Sequence, residues 1–230
     1  MGTPENHLIE LLPRKARLRL LSICEPVHLV MSQVLCEPGM PTRHAYFPID
    51  GFISLIAPGA GHPMLEVGMI GREGMLGAQL VLGVETAPLR ALVQGTGVAR
   101  RIESRAFRQE LMRSPALQRN LGRYIYVLMS QLATSATCLR FHPIRQRLAR
   151  WLLMSQDRAH SDSFAVTQEF LAHMLGVRRA GITHAAGDLQ RGGLIAYHRG
   201  HVRVLDRNGL EAAACDCYAM ERDAHAALLQ

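Results

Sequence analysis

Four side chains in the C-terminal third carry the chemistry that stands out in this sequence. They are Arg178, Arg179, Thr183 and His184, within TQEFLAHMLGVRRAGITHAAG at 167–187. A guanidinium presents a planar fork of N–H donors that fits guanine O6 and N7 or a phosphate, and a hydroxyl and an imidazole add shorter contacts. This is recognition chemistry. For bond-breaking chemistry there is little: no nucleophile elbow, no phosphate loop with its lysine, no HExxH and no paired acids in one motif. An enzyme would need a site assembled only in three dimensions, from Glu73 and the scattered histidines. The chain is therefore read as a non-enzyme.

Those four residues need a scaffold that presents them together. Counting from Gln168 as the first position of a helix-turn-helix, the fifth is Ala172, small enough for close helix crossing, and the ninth is Gly176, free to adopt the turn's positive φ. Leu171, Leu175, Val177, Ile182 and Ala185 fall on the positions that bury the two helices against each other. Thr167 is the expected N-cap, with Glu169 in the first turn. The second helix, about 178–190, presents the four candidates at its start, the end that enters a major groove. An ordinary helical hairpin would show the same apolar spacing. The next stretch of chain separates the two: Gly192 and Gly193 lead into LIAYHRGHVRVL, two β-type runs around a turn at 198–200, which adds Arg199 and His201. A helix-turn-helix with a two-stranded wing implies a DNA-binding unit.

Bulk properties agree. The 230 residues are 48% apolar and 20% charged, a globular, soluble composition with room for two cores. No apolar run approaches the ~20 residues that span a bilayer, and the start lacks a signal-peptide pattern, so no membrane partner is expected. Five cysteines without framework spacing fit a reducing cytoplasm. Of the formal charge of +7, residues 141–210 hold a net +5, ten arginines against five acids.

From Val27 the texture changes to short β-type runs broken by Gly and Pro: HLVMSQVL at 28–35, HAYFPIDGFISLIA at 44–57, MLEVGMIG at 64–71 and APLRALVQGTGVARRI at 87–102, with PGAGHP at 58–63 as a turn. Such close spacing predicts an antiparallel roll or jelly roll. Short helices are expected through HLIELL at 7–12, RLRLLSI at 17–23, and 104–112. Ser114 and Pro115 read as N-cap and first helical position of a long helix ending near Phe141, because Pro143 excludes His142 from the α region. Along it Leu117, Leu121, Tyr124, Leu128, Gln131, Ser135 and Cys138 alternate at four and three, a heptad seam. Ile125, Met129, Leu132 and Ala136 widen the stripe, so that one face can touch the roll and another a twin helix. Phe141, His142 and Pro143 form the candidate hinge, followed by a helix at 144–155 with Ile144, Leu148, Trp151 and Leu152 inward. The division is into a sensor at 1–113, a dimerisation helix with hinge at 114–142 and a reader at 143–230.

Together these segments are similar to one family. LCEPGMPTRHAYFPIDGFISL at 35–55 resembles the front of the cyclic-nucleotide-binding-type β-roll of Crp/Fnr transcription regulators, and GREGMLG at 71–77 resembles its glycine-rich effector segment. With the helix-turn-helix and wing in their usual order, the resemblance spans about 27–210. It implies an α+β fold with an N-terminal antiparallel β-roll or jelly roll, a long dimerisation helix and a C-terminal winged helix-turn-helix. It further implies a homodimer on a pseudo-palindromic operator in double-stranded DNA, with RNA polymerase as a further partner. Leu117, Leu121, Tyr124, Leu128, Gln131 and Ser135 would form the dimer interface. Arg179 would read guanine, Ala180 would meet a thymine methyl where the family usually has a glutamate, and His184 would be a second reader. Arg178, Thr183, Arg199 and His201 would hold phosphates.

The effector site departs from the nucleotide-binding pattern. Candidate positions are Gly71, Glu73, Gly74, Gly77, Arg90, Ala91 and Leu132. Arg90 is followed by Ala91 in place of serine, Ala78 and Gln79 occupy the ribose-glutamate region, and Leu132 and Ala133 replace hydroxyl residues against the base. Each change leaves a ligand group unpaired, at about 1–3 kcal/mol. Cyclic AMP and cyclic GMP are thus disfavoured, and the effector is another small molecule or none. A redox- or metal-responsive regulator is the alternative, but the clustered N-terminal thiolates of iron–sulfur members are missing. Cys138 reads as a small buried residue. Cys215 and Cys217 are close enough to bind a soft metal or report oxidation; the simpler reading sets them on adjacent faces of one C-terminal helix at 208–229, with no metal assigned.

Overall fold

The computed structural model describes residues 5–58 and 64–228. The tip of the 58–63 turn and Leu229, the end expected for the last helix, lie outside the described residues. Two short helices, α1 (His7–Glu10) and α2 (Arg14–Ser22), precede seven strands: β1 (Glu25–Leu29), β2 (Val34–Cys36), β3 (His44–Pro48), β4 (Phe52–Ala57), β5 (Leu65–Ile70), β6 (Arg90–Gly95) and β7 (Gly97–Glu103). They form two antiparallel sheets, β1-β7-β3 and β2-β6-β4-β5. The expected run at 28–35 is split between them. Ser32 turns with φ +65°, so that β1 pairs with β7 and β2 with β6. In β6 burial alternates, as in a strand with one face inward, whereas β4 is buried almost throughout. The reason is position: Ile53 and Leu55 fill the roll, while Phe52 packs with the C-terminal core.

The roll leads through α3 (Ser104–Arg113) into α4 (Pro115–Phe141). Ser114 caps α4, its side chain accepting from the Leu117 N–H, and the helix stops at His142, extended before Pro143. After α5 (Ile144–Ala159) come β8 (Ser163–Ala165), α6 (Gln168–Met174), α7 (Arg179–Arg191), β9 (Ile195–His198), β10 (His201–Val204), α8 (Arg207–Ala213) and α9 (Cys217–Leu228). The wing has three strands, in the order β8-β10-β9, where two were expected, because β8 joins the free edge of β10. The single C-terminal helix expected from 208 is also two helices. The chain becomes extended at Ala214 (ψ 165°), and α9 turns back to pack on α4. Among the described residues no helix is long and apolar enough to cross a membrane.

Two polar joints tie reader to roll. In the first, Arg158 of α5 lies 2.8 Å from Glu73, in the turn after β5, and 3.7 Å from Glu221 of α9; Arg150 reaches Glu221 at 2.6 Å. Burial opposes the ionised form of Glu73, but the Arg158 guanidinium holds its carboxyl below the usual range. In the second, Glu66 of β5 accepts from Trp151 Nε1 at 2.8 Å and from the Ser54 hydroxyl. Here burial prevails, and Glu66 is pushed up to about 7.

Removing the cation from the first joint leaves two acids facing each other. Arg158→Met should therefore cost about 3–5 kcal/mol in urea unfolding at pH 7. Adding Glu73→Gln to that variant should recover part of the loss. The second joint has the opposite pH sign. A carboxyl whose folded value lies above its ordinary 4.5 contributes stability that is complete below pH 4.5 and lost as pH rises through about 7. Glu66→Gln should thus flatten the decline in unfolding free energy between pH 5.5 and 8 by about 1–2 kcal/mol. Glu73, already ionised across that window, leaves the comparison undisturbed.

Candidate nucleic-acid interface

The reader is built from α6 upward. Thr167 Oγ1 accepts from the Phe170 N–H at 3.1 Å, starting α6, and Gly176, at φ +61°, turns the chain. Leu171, Leu175, Ile182 and Ala185 are buried, with Val177 packed against them. The carbonyl of Leu175, which caps the C-terminus of α6, accepts from the buried Arg147 guanidinium of α5. Together these contacts fix where α7 starts.

All seven sequence candidates on α7 and the wing are exposed: Arg178, Arg179, Ala180, Thr183, His184, Arg199 and His201. Two are oriented by neighbours. Thr183 Oγ1 donates to Gln168 Oε1 at 2.8 Å, stitching α7 to the first residue of α6. His184 Nδ1 lies 2.8 Å from the Ala180 carbonyl; since a carbonyl only accepts, Nδ1 donates and Nε2 faces outward. On the wing, Arg199 (φ +47°) and Gly200 (φ +78°) form a two-residue turn that closes the His198–His201 pair. Arg179 and Arg199 line one open groove, of about 400 Å³, together with Gln168 and Glu169.

The basic excess is less concentrated there than the sequence suggested. Arg147, Arg150 and Arg158 are buried, and Arg191 and Arg207 pair with Asp188 and Asp157. Among the described residues Arg145, Arg178, Arg179, Arg199 and Arg203 are exposed and make no ion pair, so the outward charge is carried by the start of α5, the start of α7 and the wing.

The other two candidate sets are rearranged. The roll encloses a cavity of about 170 Å³, lined by Leu55, Ile70, Leu76, Leu89, Leu128 and neighbours. Of the effector candidates only Gly77 and Leu132 line it. Arg90 instead pairs with Glu37 at 3.4 Å, Ala91 is buried in the sheet and Glu73 belongs to the Arg158 joint. Gly71 and Gly74 serve packing. A Cβ on Gly74 would lie 2.6 Å from the Tyr124 hydroxyl, and one on Gly71 2.6 Å from the Glu73 carboxylate. No charged residue among those described lines the cavity; its polar pair is Thr42 and Gln79, bonded to each other at 2.7 Å.

The dimer candidates Leu117, Leu121, Tyr124, Gln131 and Ser135 are buried within the chain's own fold, and Leu128 packs on the roll. Tyr124 donates to the Met75 carbonyl and Gln131 to the Met69 carbonyl and Glu221. The outward stripe of α4 is Gly122, Tyr126, Met129, Ala133, Ala136 and Arg140. It too advances by four and three.

Sequence reasoning also passed over a convergence at the hinge. Cys138 and Cys217 meet Cys215, which lies in the break between α8 and α9, and His142 adjoins them. A hydrogen bond from Cys215 pulls the Cys138 thiol down to about 5, while Cys215 itself is pushed up. Burial pushes Cys24 up to about 12 and raises Cys36, so that both favour the thiol over the thiolate.

With this geometry, comparisons with known proteins are direct. Residues 146–213 match the Crp-like helix-turn-helix domain family. No curated protein matches the chain. Among solved structures, the c-di-GMP-responsive global regulator CLP of Xanthomonas campestris is similar at 18% identity and a TM-score of 0.67, over 84% of this chain and 99% of that one. FixK2 from Bradyrhizobium japonicum is similar at 12% identity and 0.70, over 84% and 98%. A Crp/Fnr-family transcriptional regulator from Thermus thermophilus is similar at 21% and 0.68, over 83% and 98%. The chain thus carries a Crp-like helix-turn-helix domain within the fold of the Crp/Fnr regulators.

Proposed function

We propose that this protein is a homodimeric transcription regulator reading a pseudo-palindromic site in double-stranded DNA. The observation that carries this reading is the shared groove of Arg179, at the start of the second helix, and Arg199, at the wing tip. Arg179 reads a guanine, Ala180 contacts a thymine methyl and the outward Nε2 of His184 meets a neighbouring base edge. Arg178, Arg199 and His201 hold phosphates. Thr183 is withdrawn from that set into positioning, since its hydroxyl already serves Gln168. Residues 1–113 act as sensor, 114–142 as dimer helix and hinge, and 143–230 as reader. The dimer forms along the outward stripe of α4, in place of the buried seam. RNA polymerase is the further partner, the cytoplasm the site of action, and no catalysis is assigned. An effector of this cavity is small, largely apolar and uncharged, since a cyclic phosphate would find no cation among the residues lining it.

Selection from random duplex DNA by the purified protein should enrich a two-fold symmetric site, with half-sites about one helical turn apart. On that site Arg179→Ala should cost ~1–3 kcal/mol and relax specificity at one base pair. Arg199→Ala should weaken all sequences alike and lower the salt slope by about one. Failure to enrich any sequence, with the protein folded and every effector class tried, would sink the proposal. For the interface, Met129→Glu places a charge in the outward stripe and should shift sedimentation from dimer toward monomer at micromolar concentration. Leu121→Glu, by contrast, should unfold the roll. If Met129→Glu stays fully dimeric, the stripe is not the seam.

A further inference from the structure

Two separated chain segments, 138–142 and 215–217, bring four ligand-type side chains to one point behind the hinge. Cys138 lies near the end of α4, His142 in the hinge, Cys215 in the break after α8, and Cys217 at the start of α9. Cys138 Sγ is 3.5 Å from Cys215 Sγ, and Cys217 Sγ is 3.5 Å from His142 Nδ1. All four donor atoms fall within 4.8 Å of one another. A tetrahedral zinc ion, with bonds of about 2.3 Å to sulfur and 2.0 Å to nitrogen, needs donor separations of roughly 3.5–3.8 Å. Two of the contacts already lie in that range, and the rest require an inward shift of about an ångström at most.

Cysteines packed merely as small apolar residues would merge into the neighbouring hydrophobic clusters. These three are 2%, 5% and 3% exposed and form a cluster of their own, separate from the three large cores. A Cys138–Cys215 disulfide is the other chemistry the distance suggests, but it would use only two of the four converging side chains and leave Cys217 and His142 paired only with each other. Charge also favours a cation. Three thiolates and a divalent ion sum to about −1, and the buried guanidinium groups of Arg147 and Arg150 lie close enough to act on Cys138 and Cys215. Borderline-soft zinc suits three sulfurs and one imidazole in tetrahedral array, and four protein ligands leave no open position for catalysis.

We propose that Cys138, His142, Cys215 and Cys217 form a closed, structural zinc site that locks the hinge. Thiols become thiolates on binding, and their protons pass to solvent. The ion joins the last turn of the dimer helix to the α8–α9 break, and so fixes the helix-turn-helix relative to α4.

The test uses the full chain, reduced, loaded with zinc chloride and passed through gel filtration. About one zinc should remain per chain. Cobalt(II) in its place should show the intense near-ultraviolet thiolate charge-transfer band and the visible bands of tetrahedral coordination. Cys215→Ser and Cys217→Ser should each lose the ion and the cobalt spectrum, while Cys24→Ser keeps both. Circular dichroism reports whether each variant folds. Should a cysteine variant fail to fold, iodoacetamide labelling of the wild type in urea just below its unfolding midpoint, where buried thiols react through local opening, provides the same answer: zinc should slow labelling of Cys138, Cys215 and Cys217 but leave the rates at Cys24 and Cys36 unchanged. No retained zinc, retention undiminished in both folded cysteine variants, or a Cys138–Cys215 disulfide that forms in preference to metal binding would each overturn the proposal.

Discussion

The placement of the helix-turn-helix domain on the roll turns first on one buried guanidinium. Arg158 projects from the end of α5 between Glu73, which ends the roll's β5 turn, and Glu221, on the helix that returns along α4. A charge taken from water is costly unless its partners are close and its remaining donors are used. Both conditions hold, since Arg158 also donates to the Met154 carbonyl and Glu221 is shared with Arg150 and Gln131. The cost works against displacement, because moving Arg158 away from Glu73 and Glu221 would leave a buried charge without its partner.

The rest of the reader is set from that anchor. The apolar stripe of α5 carries Leu148, Trp151 and Leu152 into the core that α6, α7 and the wing share. Arg147 ends α6 by taking its C-cap carbonyl, and the turn of Gly176 then sets the start of α7. The roll touches this assembly directly. Phe52 and Met69 belong to the reader's core, and Glu66 holds the Trp151 indole. The roll and the helix-turn-helix domain are therefore not two bodies on a string: β4 and β5 pack directly on α5, which in turn holds the helix-turn-helix through Arg147.

How much of this the sequence disclosed depended on range. The helix-turn-helix was legible because its determinants are local: a cap, a φ-positive glycine and five apolar positions within twenty residues. The breaks at Ser114 and Pro143 were legible for the same reason. The stripe on α4 was visible but not its partner. Leu117, Leu121 and Tyr124 have the spacing of a helix seam, yet a heptad says only that a helix buries a face, not what covers it. GREGMLG was read as an effector segment because it resembles the glycine-rich one of the Crp/Fnr family. Here the group that approaches Gly74 is the ring of Tyr124, and Glu73 answers Arg158 across 85 residues. β8 is three residues long, too short for periodicity to register. The hinge cysteines were hidden by separation, since Cys138 and Cys215 stand 77 positions apart and no short motif links them.

The α4 helix also joins two features that stand apart in the single chain. Its inward edge supplies Ile125, Leu128 and Leu132 to the apolar cavity of the roll, and Met129 lies at the cavity's rim while also standing on the outward stripe. A second helix laid along Tyr126, Met129 and Ala133 would therefore pack against the same methionine that closes the cavity. Methionine is the residue best suited to serve both, since its unbranched, flexible side chain fits irregular space at little cost. In the dimer proposed above, a ligand in the cavity and a partner helix on the stripe would both press on Met129. Each would then bias the other's binding through this side chain, by a reciprocal coupling on the order of 1–3 kcal/mol.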